Sequence, residues 1–426
     1  MSPAPFTFPH FRLDAEHEDE RARALLDAVH AGDPAARARF ERGRAILRDG
    51  VDAGATWTLD EARNVIAREL RLDDWATLER HVAHLSAARA AAESGGRPLD
   101  ADARTLHVRC GSDIRDRLRE AGFHGDFYEH SYPYLIGPVR EGPGALEERA
   151  GFVSSGDADV ALRALQRAED VLLASATYDR VIVWSEFDCY DQLVLVRLLG
   201  HYATHPRPGI IELVNCGDYP GSVRFLGLGQ LPPEALRLLW DTRELAGPAQ
   251  LVLGHGAWRA LVNADPRPLA AIARGGTPAL PLLAPALLRH LRELPSMANG
   301  LSLTQQLALE LLAEAPRSLE VLFAQLTWER DPMPGQGDLQ VRDRVLAMEI
   351  PGAALLSRTP GTDRERRARP PWTDVLAITD LGRRVLAGDV DFHSLRPSPR
   401  WVGGVRVAPD APDWRWDETR RDARLR

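Results

Sequence analysis

The densest run of chemically capable side chains lies between Trp184 and Gln192, in the segment WSEFDCYDQ. Glu186 and Asp188 stand two residues apart, so in extended backbone both face one side. Asp191 falls near the start of the helix that follows, where a carboxylate is favoured. Paired carboxylates at such a place can hold Mg²⁺ or act as acid and base. Glu186, Asp188 and Asp191 are therefore candidate catalytic residues. Glu186 and Asp188 are also candidate metal ligands, and Gln192 adds an amide for hydrogen bonding. The competing reading is one helix cap with solvated acids beside it.

Two further loops carry chemistry of a similar kind. Cys110-Gly111-Ser112-Asp113 opens a helix, and a Gly-Ser turn at a helix start offers free amides to an anion such as phosphate. There Ser112 or Asp113 can equally serve as the helix cap. Asn215-Cys216-Gly217-Asp218-Tyr219-Pro220-Gly221 leads on to Arg224, and its glycines and proline permit tight turns against a ligand. Gly111, Ser112, Asp113, Gln192, Asp218 and Arg224 make up the candidate ligand-binding set. Histidine chemistry has little support. There is no HExxH pattern, and for His201 and His205, four residues apart, Pro206 disfavours helix at His205.

All three loops follow segments that read as strands: Thr105–Arg109, Arg180–Trp184 and Ile210–Val214. Helices alternate with them, which implies parallel pairing in a layered sheet. Ligands in such sheets bind beyond the carboxyl ends of strands, where all three loops fall. Upstream, residues 1–90 read as helices. Asp33-Pro34 starts one of them, and Thr58 with Glu61 forms a capping box. Residues 91–104 are small, polar and glycine-containing, the composition of a linker. The expected fold class is α/β: a helical module (1–90), a linker (91–104) and a layered, Rossmann-like domain (105–300). A winged-helix-like domain (301–390) and a tail (391–426) follow.

The winged-helix expectation rests on order. Helices at Leu303–Ala313, Ser318–Leu326 and Leu339–Ala347 precede strands at Ala354–Ser357 and Val375–Ile378. The third helix would be the reading helix and carries Arg342 and Arg344. The loop between the strands adds Arg364, Arg366 and Arg367, so Arg342 and these three are candidate DNA contacts. Acids at Asp338, Asp343 and Glu349 weigh against that, and winged helices also serve as protein-interaction modules.

Composition narrows the chemistry. The 53 residues of the Lys+Arg class are all arginine. Without lysine there is no Walker-type phosphate loop, no lysine Schiff base and no kinase-type lysine. Any phosphate contact must use arginine, backbone amides or a metal. A net charge of −8 argues against nucleic-acid binding by the whole surface. Three widely spaced cysteines fit a reducing compartment. The first residues, MSPAPFTFPHF, lack the pattern of a secretory signal, and no apolar run is long enough to span a bilayer. A cytoplasmic protein without membrane segments is expected.

The stretch from Leu106 to about Leu291 resembles the bacterial domain-of-unknown-function family numbered 1835. The resemblance lies in LHVRCGSD, LREAGFHGDF, Gly137-Pro138-Val139, VIVWSEFDCYDQLVLVRLL, NCGDYPG, FLGLGQL and LPSMANGLSLTQQLALELL. This chain departs from the family in reading Gly111-Ser112-Asp113 where Gly-Asp-Ser is usual, and Tyr132-Pro133-Tyr134 where an acid tends to precede Gly-Pro. Residues 59–85 resemble the helical module found ahead of ankyrin repeats in bacterial proteins. The resemblance implies a fold region and a ligand site, and brings no established activity. The expected function is binding of a phosphate-bearing or nucleotide-like small ligand, Mg²⁺ being a possible cofactor. The alternatives are a ligand-responsive DNA-binding regulator and a protein-interaction scaffold.

Overall fold

The structure is a computed structural model and describes residues 11, 13–46, 57–154, 156–361 and 372–426. Four helices come first: α1 (Ala15–His30), α2 (Pro34–Ile46), α3 (Leu59–Glu69) and α4 (Trp75–Glu93). Next are β1 (Thr105–Arg109), α5 (Arg115–Glu120), β2 (Asp126–Glu129), α6 (Ala145–Val153) and α7 (Ala158–Ala174). There follow β3 (Arg180–Glu186), α8 (Cys189–Thr204), β4 (Ile210–Cys216), α9 (Pro233–Leu239), β5 (Glu244–Leu245) and α10 (Pro248–Leu261). Then come α11 (Arg267–Gly275), α12 (Leu283–Leu291), α13 (Leu303–Glu314), β6 (Arg317–Ser318), α14 (Leu319–Gln325) and α15 (Asp338–Leu346). After these lie β7 (Leu356–Thr359), β8 (Val375–Ile378), α16 (Asp380–Ala387), β9 (Arg400–Val402), β10 (Val405–Val407), β11 (Trp414–Asp417) and β12 (Asp422–Leu425). The fold is mixed α/β. Two compact units divide it: residues 1–129, 179–184 and 212–245, and residues 130–178, 185–211 and 246–426. None of the helices among the described residues is long and apolar enough to cross a membrane.

In the first unit, α1 to α4 share a core in which Phe40, Ile66 and Leu78 are fully enclosed. The capping box forms as its sequence dictates, the Glu61 amide donating to Thr58 Oγ1 and the Thr58 amide to the Glu61 carboxylate. The sheet runs in the order β2-β1-β3-β4-β5. β1 is parallel to both β2 and β3, and β5 is antiparallel to β4, so the sheet is mixed. Every residue of β1 and β3 is buried, and within β3 the stretch Val181–Trp184 reads as an unbroken apolar run. The one imidazole inside β1 is satisfied on both nitrogens. Trp184 Nε1 donates to His107 Nδ1 at 3.1 Å, and His107 Nε2 donates to Asp100 at 2.9 Å. Burial works against the Asp100 charge. The hydrogen bonds from His107 and from the His124 and Gly125 amides outweigh it and hold the carboxyl at about 2. The stretch expected as a linker is thus anchored, since Asp102 also pairs with Arg180.

In the second unit, α8 and α10 pack closely because glycines meet bulk. A Cβ at Gly254 would lie 2.4 Å from Leu199 Cβ, and one at Gly200 would lie 3.1 Å from Trp258 Cβ. Further along, α13, α14 and α15 accompany a three-stranded antiparallel sheet of order β6-β8-β7. A buried ionic network ties these helices to α12. Arg289 bonds to Asp331, Glu293 and Thr304, and Arg344 reaches Glu293 at 3.5 Å. Burial opposes the Glu293 charge, but Arg289 and Arg344 overcome it and hold the carboxyl well below the usual range. The tail packs through Trp414 and Trp416, both buried, and the Trp416 amide donates to the Pro295 carbonyl.

Candidate functional site

The acidic segment sits where β3 passes into α8. The carboxylates of Glu186, Asp188 and Asp191 are all buried, and one oxygen of each lies within 4.8 Å of the others. Such a trio suits a hard cation such as Mg²⁺ in spacing. Two of its members also carry out local tasks. Asp188 is the N-cap of α8, its Oδ1 accepting the Asp191 amide at 2.9 Å. Asp191 Oδ1 accepts the Glu186 amide at 3.0 Å, and Gln192 Nε2 donates to the Glu186 carbonyl. Gly335 closes over Asp188, since a Cβ there would lie 2.9 Å from Asp188 Cβ and Cγ. The neighbouring Cys189 thiol is buried, and burial pushes its pKa far up, so it is no nucleophile.

The two other sequence-derived loops belong to the first unit. After β1, Asp113 pairs with Arg109 at 3.1 Å. The helix that follows, α5, starts at Arg115 with Ile114 in the cap position and no side-chain cap bond. Gly111 is half-buried and Ser112 exposed. After β4, Asp218 pairs with Arg71 at 2.6 Å and accepts the Tyr219 amide. The Gly221 amide donates to the Leu70 carbonyl, so this loop seats the end of α3. Arg224 is half-buried in the same connection. Among the DNA-contact candidates, Arg342 pairs with Asp343, whereas Arg364, Arg366 and Arg367 lie outside the described residues. Arg344, on the same helix, is turned inward to Glu293.

A cavity of about 280 Å³ opens near the other end of α8, entirely within the second unit. Its walls come from the segment 132–142 and from α6, α7, α8 and α10. Arg149 on α6 is 5% exposed. Its guanidinium donates to the carbonyls of Pro133, Ile136 and Pro138 and lies 5.2 Å from the Tyr134 ring centroid. No carboxylate reaches it among the described residues, and its Nε has no partner. Burial accordingly draws its pKa below the ordinary arginine value. Arg197 on α8 pairs with Glu169 and lies 5.2 Å from the Trp258 ring centroid. Two guanidiniums set against aromatic rings thus form one side of the cavity.

His201, also on the wall, is 2% exposed. Its Nε2 is enclosed and has no partner. Burial first, then the charges of Arg197 and His205, bring its pKa down to about 4, so the ring is neutral at pH 7. His205 stacks on it with ring centroids 4.4 Å apart.

Sequence reasoning directed attention to the acidic start of α8 and noted His201 with His205 only as a metal pair. The i, i+4 spacing of these histidines was the one visible signal of the cavity. Arg149 and Tyr134 come from segments remote in sequence and carry no motif. No protein-family model matches the chain, and no curated protein matches it.

Proposed function

We propose that this protein binds a small phosphate-bearing anion in the cavity bounded by α6, α7, α8 and α10. The observation that carries the reading is Arg149, a buried guanidinium that lacks a counter-charge and keeps a donor unused. A buried charge in this state is costly, and an anion entering the cavity offsets that cost. Arg197 and Arg140 add positive charge on the same wall, against Glu141 and Glu169. Arginine is the phosphate-binding side chain available to a lysine-free chain, and its planar fork suits phosphate oxygens. The proposal keeps the ligand class expected from the sequence and moves its place from the start of α8 to near the end. Membership of the family numbered 1835 accords with it and remains a proposal of its own.

The ligand reading is favoured over DNA contact by the inward turn of Arg344 and the pairing of Arg342 with Asp343. The order α13-β6-α14-α15-β7-β8 suits a packing module as readily as a winged helix. Thermal-shift and calorimetric titration with orthophosphate, sugar phosphates and nucleotides, each with and without Mg²⁺, tests the proposal. A ligand present at a hundred times its Kd raises folding stability by about 2.7 kcal/mol. Arg149→Met and Arg140→Ala should each weaken binding about tenfold or more, the second without disturbing the fold. A flat response to every anion at millimolar concentration would defeat the proposal and favour an interaction scaffold.

A further inference from the structure

The charges on the cavity wall are uneven by one, and the remainder limits what a ligand can carry. Arg140, Arg149 and Arg197 line the cavity together with Glu141 and Glu169. Arg197 pairs with Glu169, Glu141 with Arg259 at 3.3 Å, and Arg140 with Glu148 at 3.5 Å. Arg149 bonds to backbone carbonyls instead. The wall residues alone, and the same residues with their partners, both leave one positive charge over. We infer that the site takes a phosphate bearing a single negative charge, a phosphodiester, in preference to a phosphomonoester dianion. This rests on the anion reading above and specifies how the phosphate is substituted. A diester keeps one charge at neutral and mildly alkaline pH, whereas a monoester approaches two. The first charge is matched by Arg149. A second has no spare cation to meet and shares the cavity with the carboxylates of Glu141 and Glu169, so desolvation and like charge both oppose it.

The uncharged part of the wall agrees with this. Val139, Leu146, Leu165 and Trp258 border the same space. A diester flanks its phosphorus with two carbon groups, which an apolar surface receives favourably. A monoester supplies one such group and brings a further charged oxygen in place of the other. A small diester suits a cavity of about 280 Å³.

The experiment compares diethyl phosphate, ethyl phosphate and orthophosphate on the full chain by calorimetry. It is run at pH 8, above the range in which an imidazole carries charge, so that His201, His205 and His255 on the wall add nothing to the balance. Diethyl phosphate should bind about tenfold or more tighter than ethyl phosphate. Glu169→Gln keeps the size of the side chain and leaves the wall with two spare positive charges. Ethyl phosphate should then gain about tenfold or more and diethyl phosphate less, so that the preference disappears. Ethyl phosphate bound as tightly as the diester by the wild-type chain overturns the single-charge selectivity and leaves anion binding standing. A preference that survives unchanged in Glu169→Gln assigns it to shape and equally overturns the inference. Absence of binding by all three probes removes both proposals together. Should Glu169→Gln fail to fold, Glu141→Gln makes the same change of charge and decides.

Discussion

The two ends of α8 hold polar residues of comparable density and use them in opposite ways. At the start, Asp188 and Asp191 accept backbone amides and complete the turn from β3 into the helix. Near the end, Arg149 and His201 keep buried polar atoms without partners beside an open volume. The first arrangement satisfies the chain itself, and the second leaves capacity for something else. Clustering of acids in a sequence therefore marks a local demand of the backbone at least as readily as a site. An enclosed polar atom that lacks a partner, together with space beside it, points outward to a ligand.

Acid is the harshest way to break this contrast. His130, His201 and His290 are all held neutral chiefly by burial, their pKa values drawn down to about 3, 4 and 4. In the unfolded chain a histidine takes its proton near pH 6.5. Between that pH and about 4 the unfolded state binds protons that the folded state refuses, so stability falls as pH drops through this window. Each histidine contributes a slope of about 1.4 kcal/mol per pH unit there. Urea-unfolding midpoints should decline from pH 6.5 towards pH 4.5. His290→Gln should remove one histidine's share of the slope. Midpoints that stay level from pH 7 to pH 5 would show these rings to be solvated and the cavity end of α8 to be open.

The next test concerns the acidic end. Asp188→Ala removes the N-cap of α8 and should destabilise the fold by about 1–2 kcal/mol, read as a lowered urea midpoint. It should leave the affinity of the cavity for orthophosphate unchanged. If phosphate binding falls along with stability, the acids at the start of α8 take part in the site and the contrast between the two ends collapses.

What the sequence made legible follows the same division. Local signals translated well. The capping box at Thr58 and Glu61 and the apolar run of β3 encode structure within a few residues. β2, β5, β6 and the four strands of the tail give no such signal. They are two to four residues long, and such short segments carry too few positions to show a period of two. The cavity was the least legible part. Arg149 reads as one more solvated arginine on a short helix beside Glu147 and Glu148. Only the fold of the segment 133–138 turns three carbonyls towards it and buries its charge. Arg344 illustrates the reverse case. It looks like a surface cation on a reading helix, yet Glu293, about fifty residues earlier, draws it into the interior.

The smallest expected effect is the most discriminating. His201→Leu replaces a buried ring having one unsatisfied nitrogen by an apolar group of similar reach. The ring contacts with Tyr202 and His205 are lost, and relief of the enclosed, unpartnered nitrogen offsets that loss. The net change in stability should therefore lie within about 1 kcal/mol of zero, smaller than that of Asp188→Ala four turns earlier on the same helix. A loss as large as that of the cap variant would mean that His201 is there to hold α8 against α7, its nitrogen merely tolerated. Near-neutrality in stability, combined with altered anion affinity, is the pattern of a side chain kept for what enters the cavity.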